Sequence, residues 1–259
     1  MKDSLIIKNK IKKAIYDKVF KIDEVISITI VGSFIDKNDL SGISDIDTII
    51  ICNILNKKIF NKCIKACKEL DLNKYGLEDY KLKINSKFGP LKFDKPKVAI
   101  LHLMIYDIAG HREHVINSPF TCYDWERSQD FVGLHLKEIF PVGQIQLRDF
   151  KEARRNIKDY LSDLKNNSIT YHEYDFSIES IKQVKKHMKL DDRHKGEFAY
   201  HIVRNLINNY YKLCSNHNRL ISGSEINKII KSMFNKEYGK YHSKKFTIIS
   251  KNKEKRKID

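Results

Sequence analysis

The sequence predicts an α+β chain with a small sheet in its first part and helices in its second. Three observations carry this. Short β-branched apolar runs at 25–31, 45–52 and 98–106 lie in the first 107 residues, and such runs favour buried strands. Beyond about residue 148 the apolar residues recur at helical spacing instead. Hydrophobic residues make up 41% of the 259, enough to fill a core and too many for a disordered chain. The expected boundaries are an α/β domain over 1–145, a helical domain over 146–243 and a basic, flexible tail over 244–259.

Taken in order, residues 4–20 carry Leu5, Ile6, Ile11, Ile15, Val19 and Phe20 among lysines, the pattern of an amphipathic helix. VISITIV (25–31) reads as a buried strand ended by Gly32-Ser33. A polar, turn-rich stretch follows, and DIDTIIIC (45–52) reads as a second strand. Ile59, Phe60, Cys63, Ile64, Ala66, Cys67 and Leu70 predict a helix over 57–70. Residues 80–93 predict a hairpin turning near Lys87–Pro90. VAILHLMIY (98–106) is the longest apolar run and predicts a central strand. The segment 108–130 reads as a polar loop, and helices are expected over 149–165, 177–189, 195–215 and 223–235.

Lys and Arg number 49 against 33 Asp and Glu, a net charge of +16. Such a balance suits nucleic acid or phosphorylated substrates. Because lysine is spread along the whole chain, the charge by itself reads as a solvated basic surface. No apolar run reaches the eighteen residues of a spanning helix, and the basic N-terminus lacks the unbroken apolar stretch of an export signal. Five cysteines without a CxxC pair argue against a disulfide framework or zinc ribbon. The expectation is a reduced, cytoplasmic protein without a membrane partner.

The chemistry concentrates in TIVGSFIDKNDLSGISDIDTIII (29–51). A strand ends in Gly32-Ser33, and twelve residues after Ser33 comes Asp45-Ile46-Asp47. Strand alternation puts Asp45 and Asp47 on one face and Ile46 on the other. Two carboxylates placed together raise each other's pKa and cost stability. A hard divalent cation resolves that conflict, and Mg²⁺ commonly takes one or two carboxylates plus substrate phosphates. Gly32 allows close approach of a backbone N–H to a phosphate, and the Ser33 hydroxyl can donate to one. A lone Asp-x-Asp after a serine also occurs at solvated strand entrances. The conjunction of strand, Gly-Ser, spacer and acid pair is what points to chemistry.

The pattern Val31-Gly32-Ser33, then Ser44-Asp45-Ile46-Asp47-Thr48, resembles the signature of the polymerase-beta-type nucleotidyltransferases. The resemblance covers roughly residues 25–107. It implies a small mixed-sheet nucleotidyltransferase domain, here followed by a C-terminal helical bundle that closes one side of the site. It also implies that Gly32 and Ser33, with Ser44 beside the acid pair, serve the triphosphate, and that Asp45 and Asp47 bind two Mg²⁺ ions. The reaction would move a nucleoside monophosphate from a nucleoside triphosphate to a small molecule, a protein side chain or an RNA end. The family usually has a third carboxylate, flanked by apolar residues, on a later strand. In VAILHLMIYD that position is His102, while Asp107 ends the strand. Alternation puts His102, Met104 and Tyr106 on one face and Leu103, Ile105 and Asp107 on the other. The flanked position selects His102, as metal ligand or base. If neither serves, the fold would act as an inactive regulatory or antitoxin-like binding protein.

Further candidates lie outside this segment. Arg112 and Arg127 have the chemistry of phosphate clamps. Trp125 reads as an anchor for its loop, and His111 and His114, three apart, lack the extra ligands of a zinc site. Arg154-Arg155 and Arg204-Asn205 are phosphate contacts to be tested in the helical part. Phe198, Ile202, Leu206, Tyr210 and Leu213 have core-like spacing, with Tyr210 and Tyr211 read as bundle packing rather than a base platform.

Overall fold

A computed structural model describes residues 2–36, 40, 45–78, 80–91, 97–177, 181–215, 223–233 and 236–254. The fold is α+β. The first strands fall where apolar runs dictate: β1 (Val25–Val31), β2 (Ile46–Cys52) and β4 (Val98–Asp107), with β3 (Lys81–Asn85) and β5 (Phe131–Gly133) beside them. The five form one mixed sheet in the order β3-β4-β2-β1-β5. Strands β3, β4 and β2 run parallel. Strand β1 runs antiparallel to β2 and to β5. The helices that flank this sheet are α1 (Lys2–Val19), the short α2 (Ser33–Asp36), α3 (Lys57–Lys68), α4 (Ile108–Asn117), α5 (Pro119–Trp125) and α6 (Leu136–Ile139).

Alternation sorts the strand residues between two cores. Ile28, Ile30, Ile50, Leu101, Leu103 and Ile105 face one side, against Ile11 and Ile15 of α1 and Ile59, Phe60, Cys63 and Cys67 of α3. Val31, Ile49, Ile51, Met104 and Tyr106 face the other side, against Val115 of α4 and Cys122 and Trp125 of α5. Both faces of β2 and β4 are covered, which is why these strands read as unbroken apolar runs rather than alternating ones. Helix α3 starts at Asn56, whose side chain accepts from the Ile59 N–H at 3.0 Å, an N-cap that satisfies one otherwise orphaned donor.

Several expectations are corrected. Residues 80–93 do not form a hairpin among the described residues: Lys81–Asn85 pairs in parallel with β4, and Phe88 bridges to His172 instead. The stretch 108–130 is mostly helical. Asp107 accepts from the Gly110 N–H at 2.7 Å and caps α4, and Pro119 opens α5. Of the stretch 177–189 expected as a helix, Lys182–Lys189 is a strand. Strand signals return as β6 (Ser168–Asp175) and β7 (Lys182–Lys189), a two-stranded sheet. The remaining helices are α7 (Leu147–Asn166), α8 (Asp192–Ser215), α9 (Gly223–Met233) and α10 (Lys236–Glu254), the last running from the helical part into what reads as a flexible tail over 244–259.

The chain forms two compact units. One is Met1–Gly143 with Tyr171–Lys186; the other is Gln144–Thr170 with His187–Lys257. The far part of the β6–β7 pair belongs with the first unit for identifiable reasons. The Tyr174 hydroxyl donates to the Ile105 carbonyl at 2.8 Å, and Phe60 meets the rings of Tyr174 and Phe176. In the second unit, α8 buries Phe198 and Ile202 as its spacing predicts. Its seam also buries Glu197, Asn208 and Lys212, while Tyr210 and Tyr211 are exposed and not packed as expected. Ile226 and Ile230 of α9 pack against Val203, Ile207 and Phe246. All five cysteines are free thiols, four of them buried. No helix among the described residues is long and apolar enough to cross a membrane.

Helix α4 makes the first unit acid-sensitive. His111 is buried with neither ring nitrogen hydrogen-bonded among the described residues. His114 stacks on Trp125 at 4.9 Å between ring centroids. Burial lowers both imidazoles to about 4, His114 with a smaller contribution from His111. The unfolded chain takes up protons from about pH 6.5 downward, whereas the folded one resists until about 4. This stability is therefore intact above pH 6.5 and is lost progressively as the pH falls towards 4, on the order of 3 kcal/mol per histidine. Urea unfolding across this range should show the loss, and a His111→Leu, His114→Phe double variant should flatten it.

Candidate functional site

The antiparallel register of β1 and β2 sets Val31 opposite Asp47, so the turn that ends β1 lies beside the acid pair that opens β2. Gly32 makes that turn with φ +76, and a Cβ built on it would sit 2.8 Å from Asp47 Oδ2. Only glycine both adopts this backbone without strain and leaves the carboxylate its room. Ser33 opens α2, and the next residue, Phe34, is buried with the Lys8 ammonium of α1 over its ring at 5.2 Å.

The parallel register of β2 and β4 sets Asp47 opposite His102. His102 Nδ1 lies 2.8 Å from Asp47 Oδ1, and ligand atoms of Asp45, Asp47 and His102 all fall within 4.8 Å of one another. Of the two alternatives on β4, the structure brings His102 to the acid pair. Asp107 stands at the other end of the strand, opposite Cys52, occupied as the cap of α4. Ser44 lies outside the described residues.

The imidazole is only 9% exposed, and its second nitrogen is committed. Nε2 lies 2.8 Å from the Lys87 carbonyl oxygen, an acceptor, so Nε2 carries a proton. That carbonyl has its own supports. Asn85 pairs with His102 across β3 and β4 and accepts from the Lys87 N–H at 3.1 Å. Phe88 exchanges two 2.8 Å backbone hydrogen bonds with His172. The Lys87 side chain lies over the Tyr171 ring at 4.4 Å and pairs with Glu173 at 3.7 Å. Sequence reasoning missed Asn85 and Lys87. An Asn two residues before the bonded carbonyl is a local turn signal, hidden here by the reading of 80–93 as a hairpin.

Burial is the largest influence on His102 and lowers its pKa. The hydrogen bond to Asp47, the charges of Asp47 and Asp45, and the Lys87 carbonyl together outweigh it, so the pKa ends above the ordinary value. With acceptors at both nitrogens, the ion-free site holds an imidazolium between a carboxylate and a carbonyl. The donor chemistry, two carboxylates from the start of β2 and one imidazole from β4, fits a divalent cation.

The other candidates lie apart from this site or serve other ends. Arg112 lines a surface hollow with Asn53 and Asp107, at the far end of β2 and β4, and its guanidinium lies over the Phe140 ring. Arg127 pairs with Asp124 at 3.5 Å. Trp125 is buried as an anchor. His111 and His114 belong to no metal-ligating group among the described residues. Asn205 bonds to His201 on its own helix at 2.9 Å, and the side chains of Arg154 and Arg155 lie outside the described residues. Comparison with protein-family models, curated proteins and solved structures finds no match to this chain.

Two outcomes test the geometry. Asp47→Asn removes the charge that opposes burial, so in metal-free buffer the His102 pKa should fall, as read by NMR titration of its ring. Gly32→Ala should cost about 1–3 kcal/mol from the left-handed φ and the contact with Asp47, measured by chemical unfolding.

Proposed function

We propose that this protein is a metal-dependent nucleotidyltransferase. The observation that supports this reading best is the convergence of Asp45, Asp47 and His102 within 4.8 Å beside a glycine turn that other residues would strain. In this reading, Asp45, Asp47 and His102 hold the cation, and Gly32 and Ser33 contact the β- and γ-phosphates. The bound cation supplies charge neutralisation at the phosphates and activation of the attacking oxygen. An acceptor oxygen forms a bond to the α-phosphorus while the bond to the bridging oxygen breaks, and pyrophosphate leaves. The acceptor is a small molecule, a protein side chain or an RNA end.

The role of His102 narrows under this reading. A general base needs a free lone pair within reach of the proton it takes. Both ring nitrogens are engaged, with Lys87 and Asp47. The arrangement favours a positioning role, or a ligand role once a bound cation displaces the proton that Nδ1 shares with Asp47.

Incubation with each α-³²P-labelled nucleoside triphosphate, a divalent cation and a panel of acceptors tests the proposal. Wild type should transfer label, and Asp45→Asn and Asp47→Asn should each reduce transfer to background while circular dichroism shows the fold retained. Asp45→Asn relieves like-charge crowding and should be neutral for stability in metal-free buffer. Asp47→Asn takes the counter-charge from a buried ring and should cost about 1–3 kcal/mol. Cation-dependent nucleotide binding with no transfer to any acceptor would instead indicate a regulatory binding protein. Wild-type turnover by either variant would remove the two carboxylates from the machinery.

A further inference from the structure

We infer that the Asp45–Asp47–His102 centre selects a first-row transition dication, with Mn²⁺ the representative, over Mg²⁺, and that His102 creates this preference. The inference rests on the proposed reading of Asp45 and Asp47 as ion ligands. It goes further in identifying the ion, because the third donor is nitrogen.

Mg²⁺ is hard, takes oxygen donors in near-ideal octahedral geometry and gives up water reluctantly. Imidazole is a poor donor for it and a good one for transition ions, whose affinity for nitrogen-containing sites rises along the first row from Mn²⁺. A histidine near two carboxylates could still be a bystander. Three features of His102 speak against that. Its ring is held in the sheet at 9% exposure, flanked by Leu101 and Leu103 in the opposite core, so it cannot swing out of the site. Its Nε2 donates to the Lys87 carbonyl at 2.8 Å, which leaves Nδ1 as the nitrogen aimed at Asp47. Donation of the outer ring nitrogen to a backbone carbonyl is the support that metal-ligating histidines almost always have, because it fixes the tautomer and raises ligand basicity.

The same carbonyl favours an imidazole over a carboxylate at this position. An ionised acid is acceptor-only, so at position 102 it would leave the Lys87 oxygen without the hydrogen bond that Nε2 donates. That oxygen cannot easily turn away. Asn85 holds the Lys87 N–H, and the two hydrogen bonds between Phe88 and His172 fix the chain just beyond. The backbone around residue 102 is therefore built for a donor on its outer side, and an imidazole that gives up its Nδ1 proton to an arriving cation pairs that donor with a lone pair on the inner side.

The test uses the full-length, metal-stripped protein without nucleotide. Free Mn²⁺ is followed by its electron paramagnetic resonance signal, and Mg²⁺ by competition. Wild type should bind Mn²⁺ at least about tenfold more tightly than Mg²⁺. Pulsed resonance of the Mn²⁺-loaded wild type should show modulation from a directly bound imidazole nitrogen, changed by ¹⁵N-histidine labelling. His102→Asn should lower Mn²⁺ affinity while leaving Mg²⁺ affinity close to its wild-type value. Equal affinity for the two ions, binding of neither, or absence of nitrogen modulation would overturn the inference, as would a His102→Asn variant with an unchanged preference. If that variant fails to fold, the nitrogen signal of the wild type decides alone. The two proposals fail separately. Asp45-dependent transfer supported equally by Mg²⁺ would sink this inference and leave the nucleotidyltransferase reading. Mn²⁺ selectivity without transfer to any acceptor would do the reverse.

Discussion

The parallel pairing of β2 with β4 is the constraint on which the site depends. Its register sets Asp47 opposite His102 and Cys52 opposite Asp107. A slip of one residue would set Leu101 or Leu103 against Asp47 and turn the imidazole into the opposite core. The slip is prevented by burial on both faces. Leu101, Leu103 and Ile105 are locked among α1 and α3 residues, and Met104 and Tyr106 among those of α4 and α5. At about 1.5–3 kcal/mol for each fully buried large apolar side chain, no single hydrogen bond at the site competes with that set. The position of the polar groups is thus decided by the apolar residues around them.

A second layer of control comes from the end of β3. Parallel pairing brings Asn85 beside His102, and the turn that Asn85 makes presents the Lys87 carbonyl to Nε2. The β6–β7 pair reaches into the first unit and holds this turn from outside through Tyr171, His172 and Glu173. These residues lie some 85 positions from Lys87 in sequence. The site is therefore assembled from four stretches of the first unit: the β1–α2 turn, the start of β2, the middle of β4, and the Asn85–Phe88 turn braced by β6.

What was legible in the sequence follows from which segments are covered on both sides. VISITIV, IDTIIIC and VAILHLMIYD are buried almost throughout and read as strands directly. Strand alternation put Asp45 and Asp47 on one face and separated His102 from Asp107, the glycine that ends β1 marked the turn, and the apolar-flanked position in the resemblance selected His102. The β7 segment KQVKKHMK is mostly exposed, so no period-2 signal survives, and its scattered apolar residues imitate a helix. Helices α4 and α5 were obscured because their buried faces use His111, His114 and Trp125, residues that read as loop chemistry rather than as core. The Asn85–Lys87 support was illegible for a different reason: a backbone carbonyl carries no residue identity, and only tertiary pairing shows what it bonds to.

The substitution of a histidine where a carboxylate would be expected also bears on why the site tolerates itself. Two carboxylates this close repel, and a third would add to the cost. An imidazolium at position 102 contributes a compensating positive charge from inside the sheet, with its raised pKa as the thermodynamic expression of that attraction. The pair joins the buried His102 to a half-buried Asp47, with the ring hydrogen-bonded at both ends, the condition under which burial of charge is tolerated. Structural metal sites that lack such compensation couple folding to the ion. Here the ion-free fold has its counter-charge built into β4, and a cation ligated by Nδ1 would replace that charge as the imidazolium gives up its proton.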